Sequence, residues 1–110
     1  MVRKRKPKPR PEPVVEPIAP PPLEVVPGQR FKHDLKRLKS RGKNLAKLLE
    51  IIDTLCARRP LEARHCDHPL KGNLDGYRDC HVEPDWVMVY KRTETELRLF
   101  RTGSHSDLGL

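Results

Sequence analysis

Side chains able to transfer protons are concentrated in three segments of this 110-residue chain, at residues 67–72, 76–86 and 101–107. The candidates for catalysis are three histidines and two aspartates: His68, Asp79, His81, Asp85 and His105. Imidazole titrates near neutral pH, so histidines beside carboxylates can serve as general acids and general bases. If the fold brings the three segments together, these side chains form one acid–base site.

Four further residues in the same segments are expected to bind RNA: Lys71, Tyr77, Arg78 and Arg101. With them, the site has the groups needed to cleave RNA without a metal ion or any other cofactor. A base removes the proton of a ribose 2′-OH, and the oxygen attacks the adjacent phosphate. Cations stabilise the charge that develops, and an acid protonates the leaving 5′-oxygen. DNA lacks this hydroxyl, so we expect it to be inert.

Two other interpretations of these residues must be weighed. The aspartate and histidine neighbours at 67–68 and 79–81 are also typical of hydrogen-bonded pairs on a protein surface. Residues 65–68, with Cys80 and His81, offer six side chains of types that bind metals. Zinc sites, however, use Cys and His pairs at short spacing, and strand alternation sends Cys80 and His81 to opposite faces. The sequence therefore predicts no metal site.

Composition limits the chain to one small domain with an anionic partner. Net charge is +8, from 23 Lys and Arg against 15 Asp and Glu, which favours nucleic acid or an acidic protein. No apolar run approaches the ~18 residues that a membrane span needs. Three cysteines without a framework spacing are typical of reduced thiols. We therefore expect a cytoplasmic protein with no membrane partner.

Residues 1–22 differ in composition from the rest of the chain. They contain eight of the twelve prolines and carry six basic residues against two acidic ones. Proline at this density removes backbone donors and fixes φ, so we expect a disordered, basic tail before a domain at residues 23–110. The tail is compatible with a nucleic-acid arm, with a dispensable extension, or with a start site placed too far upstream.

Periodic apolar residues predict an α+β domain with the order β-α-α-β-β-β. The first helix follows from the spacing of Phe31, Leu35 and Leu38, and the second from apolar repeats between Leu45 and Cys56. Strands are predicted at residues 23–26, 77–83, 86–91 and 96–101. The two helices form a hairpin that packs on one face of a small antiparallel sheet. Alternation along the second of these strands puts Asp79 and His81 on the same face.

Three features of the sequence have both a structural and a functional interpretation. The lysines and arginines of the two helices lie mostly off the apolar stripe, as expected for either a solvated face or a phosphate-contacting one. Trp86 is favoured as a core residue over a base-stacking platform, because the chain has only five aromatic residues to fill its interior. Tyr77 is compatible with both roles.

Three ordered motifs resemble the YafQ branch of the RelE/ParE toxin superfamily. They are Asp-His-Pro-Leu-Lys-Gly-Asn at 67–73, Gly-Tyr-Arg-Asp-Cys-His-Val-Glu-Pro-Asp-Trp at 76–86, and Arg-Thr-Gly-Ser-His-Ser-Asp-Leu at 101–108. The resemblance covers about residues 24–108. It implies a RelE-like fold and a toxin of a type II toxin–antitoxin system, an endoribonuclease that cleaves messenger RNA in the ribosomal A site and stops translation.

The resemblance also implies partners and roles. A RelB/DinJ-like antitoxin would bind and inhibit the toxin, giving a hetero-oligomer with the antitoxin and a monomer when free. The basic helix face would contact ribosomal RNA. The five candidate catalytic residues match the family's functional positions, with His105 and Asp85 closest to the proton transfers. His68 and His81 would act as the base or orient the phosphate, and acid and base are not assigned.

The chain departs from the family pattern at its C-terminus. Family members commonly carry an aromatic residue shortly after the last histidine, whereas Leu108 is followed here by Gly109 and Leu110. This departure keeps an alternative open: a catalytically degenerate, toxin-like module that binds an antitoxin or DNA in a repressor complex. Inhibition of DNA gyrase, as by ParE-type relatives, would leave the histidine cluster without a purpose.

Overall fold

The computed structural model describes residues 20–110, so the tail predicted at residues 1–22 lies mostly outside the described residues. Eight helices and strands follow in the described part: β1 Glu24–Pro27, α1 Gln29–Ser40, α2 Leu45–Cys56, β2 His68–Pro69, β3 Arg78–Glu83, β4 Trp86–Arg92, β5 Glu96–Gly103 and α3 His105–Leu108. Single 3-10 turns occupy Ala63–His65 and Gly72–Leu74. None of the helices described is long and apolar enough to cross a membrane.

The five strands form one sheet in the order β1–β5–β4–β3–β2. Neighbours are antiparallel except β1, which runs parallel to β5 with Glu24 opposite Glu96 and Pro27 opposite Leu99. The predicted α+β architecture is confirmed, but the sheet is mixed rather than antiparallel as predicted, because β1 runs parallel to β5. A parallel pair needs a long crossover between its strands, and here the helices and the other three strands supply it.

The helices α1 and α2 cover one face of the sheet, and the core lies between the helices and that face. The helices contribute the buried residues Phe31, Leu38, Leu48, Ile51, Ile52 and Leu55. Alternate positions of the three long strands contribute Cys80, Val82, Trp86, Met88, Tyr90, Leu97 and Leu99. The core interpretation of Trp86 is confirmed, since it is 1% exposed and its Nε1 donates to Oγ1 of Thr102 at 2.9 Å.

A β-bulge interrupts the regular alternation of β5. Val89 of β4 pairs with Arg101, but the next residue, Tyr90, pairs with Leu99. Phe100 is therefore the extra residue of the bulge. Beyond a bulge, the side chains of the bulged strand change faces relative to a regular strand.

This reversal brings Arg101 to the face of the sheet that the helices leave uncovered. In a regular strand, Arg101 would share the core face with Leu97 and Leu99. With the bulge, it lies across from Val89, whose other neighbour is Asp79 on β3. The free face of the sheet therefore gains a cation beside a candidate catalytic carboxylate.

Asp34 of α1 closes the sheet edge that β1 leaves open. β1 pairs with β5 only as far as Leu99, so the N–H of Thr102 has no strand partner on that side. The Asp34 carboxylate, 3% exposed, accepts this N–H at 3.0 Å. It also accepts from Nε and Nη2 of Arg101 at 2.7 and 3.2 Å, and from Nη2 of Arg37 at 2.7 Å.

We expect Asp34→Ala to lower the free energy of unfolding by about 3–5 kcal/mol, the cost of leaving the partner of a buried ion pair uncompensated. Asp34→Asn should lose less, because the amide still fills the space and can accept the Thr102 N–H. Asp53→Ala, at an exposed position of α2, is the control and should change stability by less than about 0.5 kcal/mol. Urea unfolding measures all three, and equal values for Asp34→Ala and Asp53→Ala would refute the assignment.

Candidate active site

The free face of the sheet forms the floor of the candidate site. Two rows of paired residues cross β3, β4 and β5: His81, Val87 and Gly103 in one, and Asp79, Val89 and Arg101 in the other. Val87 and Val89 are buried although they lie outside the helix-side core. The floor is therefore apolar at its centre, with titratable and cationic side chains on either side.

Three further segments bring the remaining candidates to this floor. β2 pairs with β3 so that His68 lies opposite Asp79. Asp85 lies in the tight turn between β3 and β4, and His105 begins α3 directly after β5. The rings of His81 and His105 meet edge to face with centroids 5.2 Å apart. The five residues predicted as catalytic are thus brought together.

His105 is oriented by Asp85. Its Nδ1 lies 2.7 Å from Oδ1 of Asp85, and its backbone N–H donates to the same oxygen at 3.0 Å. These hydrogen bonds from His105 hold the pKa of the Asp85 carboxyl below its usual range. An ionised carboxylate only accepts, so Nδ1 carries the proton of this hydrogen bond. Nε2 is then the nitrogen left to exchange protons with a substrate.

A helix cap holds His105 in position. Ser104 and Asp107 form a capping box, in which Oγ of Ser104 accepts from the Asp107 N–H and the Asp107 carboxylate accepts from the Ser104 N–H, both at 3.0 Å. Arg41, from the turn between α1 and α2, donates to both oxygens of Asp107 at 2.8 and 3.2 Å. Arg41 and the backbone of Ser104 hold the Asp107 pKa far below its usual range.

Gly103 permits this close packing. A Cβ atom at position 103 would lie 2.9 Å from Oδ2 of Asp107 and 3.0 Å from its Cβ. Any larger residue would therefore push Asp107 away from the Ser104 N–H and from Arg41. The Thr-Gly-Ser-His-Ser-Asp segment of the sequence is a compact support for one histidine.

His68 and Asp79 form a second histidine–carboxylate pair. Nδ1 of His68 lies 2.7 Å from the carbonyl oxygen of Cys66, so it carries a proton. Nε2 lies 3.2 Å from Oδ1 of Asp79. Although near, these two atoms lack hydrogen-bond alignment, and Oδ1 is buried without a hydrogen-bond partner among residues 20–110. His68 therefore lies beside a buried acceptor whose hydrogen-bonding capacity is unused within those residues.

Asp79 and Asp85 have opposite environments. Asp79 is 5% exposed, and this burial raises the pKa of its carboxyl, although His68, His81 and His105 act in the other direction. Asp85 is exposed, and its pKa is lowered. A carboxyl that tends to keep its proton and one that readily loses it are the pairing from which acid and base roles are built.

The residues predicted to bind RNA are placed differently from one another. Arg101 lies on the free face with its Nε and Nη2 bound to Asp34. Tyr77 lies half-buried before β3, and Lys71 is exposed. Arg78 points away from the catalytic cluster: it lies across from the core residue Tyr90 and donates to the Asp67 carboxylate at 3.1 Å.

Three residues of the site were not predicted from the sequence. Asp67 joins Arg78 to the Tyr90 hydroxyl, which donates to it at 2.7 Å. His65 approaches the backbone of the site, with Nδ1 2.7 Å from the carbonyl oxygen of His81. Asp34 anchors Arg101. All three act through contacts with residues distant in sequence. Only Asp34 leaves a signal in the sequence, because a charged residue at a buried position of a helix needs a partner.

No metal site accompanies the cluster in the part of the chain that the structure describes. Within residues 20–110, no group of three or more His, Cys, Asp or Glu side chains is arranged to hold a metal ion. Cys80 is fully buried in the core, and burial raises the pKa of its thiol well above its usual range. It is therefore suited to packing rather than to metal binding.

The sequence matches a known family over most of its length. Residues 23–109 match the family described as "Bacterial toxin of type II toxin-antitoxin system, YafQ". The mRNA interferase toxin YafQ of Escherichia coli is 44% identical over 80 residues, which cover 72% of this chain and 87% of that protein.

Solved structures agree with this match. The crystal structure of YafQ from E. coli has a TM-score of 0.75 at 39% identity, covering 78% of this chain and 97% of that chain. YafQ in the E. coli DinJ–YafQ toxin–antitoxin complex has a TM-score of 0.74 at 40% identity, covering 78% and 96%. A metal-bound toxin from Helicobacter pylori has a TM-score of 0.74 at 40% identity, covering 78% and 98%.

Replacing Asp79 or Asp85 by the neutral Asn is expected to change the stability of the protein in opposite directions. The raised pKa of Asp79 means that the fold disfavours its ionised form, so stability is lost as pH rises through the folded-state pKa. The lowered pKa of Asp85 means that its contribution is present at neutral pH and is lost as pH falls through the folded-state pKa. We expect Asp79→Asn to raise the melting temperature at pH 7, and Asp85→Asn to lower it.

Thermal unfolding at pH 7 and pH 3 checks both expectations. At pH 3 each difference should shrink, because the wild-type carboxyl at position 79 is then protonated and the one at 85 is approaching protonation. A decrease in melting temperature for Asp79→Asn at pH 7 would contradict the burial argument. A pH-independent difference for either variant would show that packing, not charge, is responsible.

Proposed function

Because the chain belongs to the YafQ family of bacterial toxins from type II toxin–antitoxin systems, we propose that it is an endoribonuclease that cleaves messenger RNA in the ribosomal A site and so inhibits translation. The observation that carries the proposal is the convergence of two histidine–carboxylate pairs on one sheet face: the hydrogen-bonded pair His105–Asp85 and the close pair His68–Asp79. The E. coli relative is named an mRNA interferase, which supports the same substrate.

We propose metal-free acid–base catalysis through the ribose 2′-OH. One imidazole removes the 2′-OH proton, O2′ attacks the adjacent phosphorus, and the bond from phosphorus to O5′ breaks. A protonated group then delivers its proton to O5′, leaving a 2′,3′-cyclic phosphate and a 5′-hydroxyl. His105 is suited to one transfer because Asp85 orients its ring and leaves Nε2 free. His68, whose Nε2 lies 3.2 Å from Oδ1 of the buried Asp79, is proposed for the other.

His81 and Arg101 are proposed to orient the phosphate and stabilise its charge. The His81 ring stands against the His105 ring, and Arg101 lies two positions along the same sheet face. Nε and Nη2 of Arg101 are held by Asp34, which fixes the guanidinium while Nη1 makes no hydrogen bond within the described residues. A fixed cation stabilises developing charge without reorganising during the reaction.

The ribosome and an antitoxin are the proposed partners. Lys32, Lys36 and Lys39 of α1 are exposed and suit contacts to ribosomal RNA, whereas Lys43 and Lys47 bind Glu83 at 3.1 and 2.8 Å. The E. coli relative has been solved with the antitoxin DinJ. We propose that a RelB/DinJ-like antitoxin forms a hetero-oligomer with this chain, which is a cytoplasmic monomer when free.

The decisive variant is His105→Ala in cells that express the chain without an antitoxin. Removing a general acid or base should reduce messenger RNA cleavage by about 10²–10⁴-fold and relieve growth arrest. His33→Ala is the matched control, because His33 is exposed on α1 and outside the site. Mapping of RNA ends and growth curves provide the measurements, with antitoxin capture to show that the variant is folded.

The outcomes separate the enzyme from the binding module. Arrest with new RNA ends in the wild type and in His33→Ala, but not in His105→Ala, supports the nuclease. Equal arrest by both alanine variants would overturn the assignment of His105. If the wild type causes no arrest and yields no new ends, the catalytically degenerate module that binds an antitoxin or DNA is favoured.

The 2′-OH mechanism makes a separate prediction about products and substrate. A ribosome-bound message with a single 2′-deoxynucleotide at the scissile position should remain uncut, because O2′ is the attacking atom. The unmodified message should yield 5′-hydroxyl and cyclic phosphate ends, and protein treated with EDTA and returned to assay buffer should be equally active. Ends bearing a 5′-phosphate, or loss of activity that added metal restores, would refute the metal-free route.

A further inference from the structure

Two of the five aromatic residues lie outside the core. Trp86, Tyr90 and Phe31 are each no more than 1% exposed, whereas Tyr77 and Phe100 are half-buried and do not belong to the core cluster. Their ring centroids are 5.1 Å apart with the planes tilted by 42°. Neither ring is needed to fill the space between the helices and the sheet.

Two cations flank this aromatic pair. The guanidinium of Arg30 lies 5.9 Å from the centroid of Phe100, and Nζ of Lys91 lies 5.6 Å from the centroid of Tyr77. Neither cation makes a salt bridge or a side-chain hydrogen bond within the part of the chain that the structure describes. Each is therefore free to pair with an anion without losing an existing ionic partner.

The pair lies on the same face as the catalytic cluster. Asp79 and His81 lie on one face of β3. Tyr77, directly before β3, continues this alternation because its carbonyl accepts the Leu70 N–H at 2.9 Å, so Tyr77 lies about 13 Å from His81, at ~3.3 Å per residue. Phe100 is the extra residue of the β5 bulge, next to Arg101, and its contact with Tyr77 shows that its ring reaches this face. Bulges beside active sites commonly redirect a side chain in this way.

We propose that Tyr77 and Phe100, flanked by Arg30 and Lys91, form a subsite that stacks a base of single-stranded RNA next to the scissile bond. This subsite rests on the proposed function, since the cluster beside it must act on RNA. Aromatic faces stack on any base, and cations at their edges neutralise the phosphates on either side. The subsite positions the strand and does not take part in proton transfer.

Charge and continuity select RNA as the occupant. Each nucleotide brings a base and a phosphate together, which matches two aromatic rings flanked by two cations that have no ionic partner within the described residues. The face also continues without interruption into the row of Asp79, Val89 and Arg101, so one strand can contact both. The competing explanation is a cross-strand aromatic pair that only stabilises the sheet.

Fluorescence of 2-aminopurine tests the subsite without requiring cleavage. The full chain carrying His105→Ala is titrated with short single-stranded RNAs, each holding one 2-aminopurine at a different position. Stacking on an aromatic ring should quench the probe at one position, with dissociation constants below about 1 mM. Tyr77→Leu and Phe100→Leu keep apolar volume but remove the stacking face, and each should weaken binding by about 5–100-fold and abolish the quench.

Charge variants separate stacking from general attraction. Arg30→Gln and Lys91→Gln should weaken binding while the quench at saturation remains. Arg59→Gln removes the same charge at an exposed position whose side chain makes no hydrogen bond within the described residues, and should change affinity less than either. Melting temperatures of all variants, measured in parallel, identify any that fail to fold.

The results also distinguish failure of the subsite from failure of the proposed function. Quenching that depends on Tyr77 and Phe100 supports the subsite, even if RNA-end mapping of the wild type reveals no cleavage. No quench at any position up to about 1 mM RNA, or an unchanged quench in both leucine variants, would overturn the subsite and leave the nuclease standing. A fall in melting temperature with unchanged RNA binding would favour the cross-strand pair.

Discussion

The carboxylate of Asp34 is buried where the first helix crosses the edge of the last strand, and there it accepts the Thr102 N–H and two bonds from Arg101. A buried carboxylate is stable only when paired and hydrogen-bonded, so its position requires both the strand edge and the guanidinium. The bulge at Phe100 meets this requirement by turning Arg101 away from the core. One buried charge thus links the helix-covered half of the protein to the face that holds the candidate active site.

A second linkage runs through the last turn of the described chain. Arg41 comes from the turn between the two helices, yet its partner Asp107 completes the capping box, with Ser104 as the N-cap, of the helical turn that begins at His105. The His105 ring is therefore held by Asp85 and its backbone by the helix cap, although α3 has only four residues. Such a short turn would not be stable alone, so its order depends on these tertiary contacts.

The chemistry of the candidate site depends on contrast between its two carboxylates. Burial raises the pKa of Asp79, and hydrogen bonds from His105 lower the pKa of Asp85. Each carboxylate faces a different imidazole, so the two carboxyl groups, although identical in type, lose their protons at different pH. The difference in pKa comes from the environment of the two carboxyl groups, because both are aspartates. It therefore depends on how deeply β2 and the β3–β4 turn bury each histidine–carboxylate pair.

The sequence alone determined the α+β class, the helix hairpin, the order of the long strands, the family resemblance and the identity of five candidate residues, whereas their convergence required the fold. These follow from local periodicity, turn chemistry and motif spacing, which act over a few residues. Only the tertiary structure decided the parallel pairing of β1 with β5, the burial of Asp79, the ion pair of Arg78 with Asp67 and the contact of Phe100 with Tyr77. Long-range pairing sets burial, and a one-residue bulge reverses the faces of a strand. Regular alternation would place Arg101 with Leu97 and Leu99, so the sequence could not reveal the bulge or the aromatic pair.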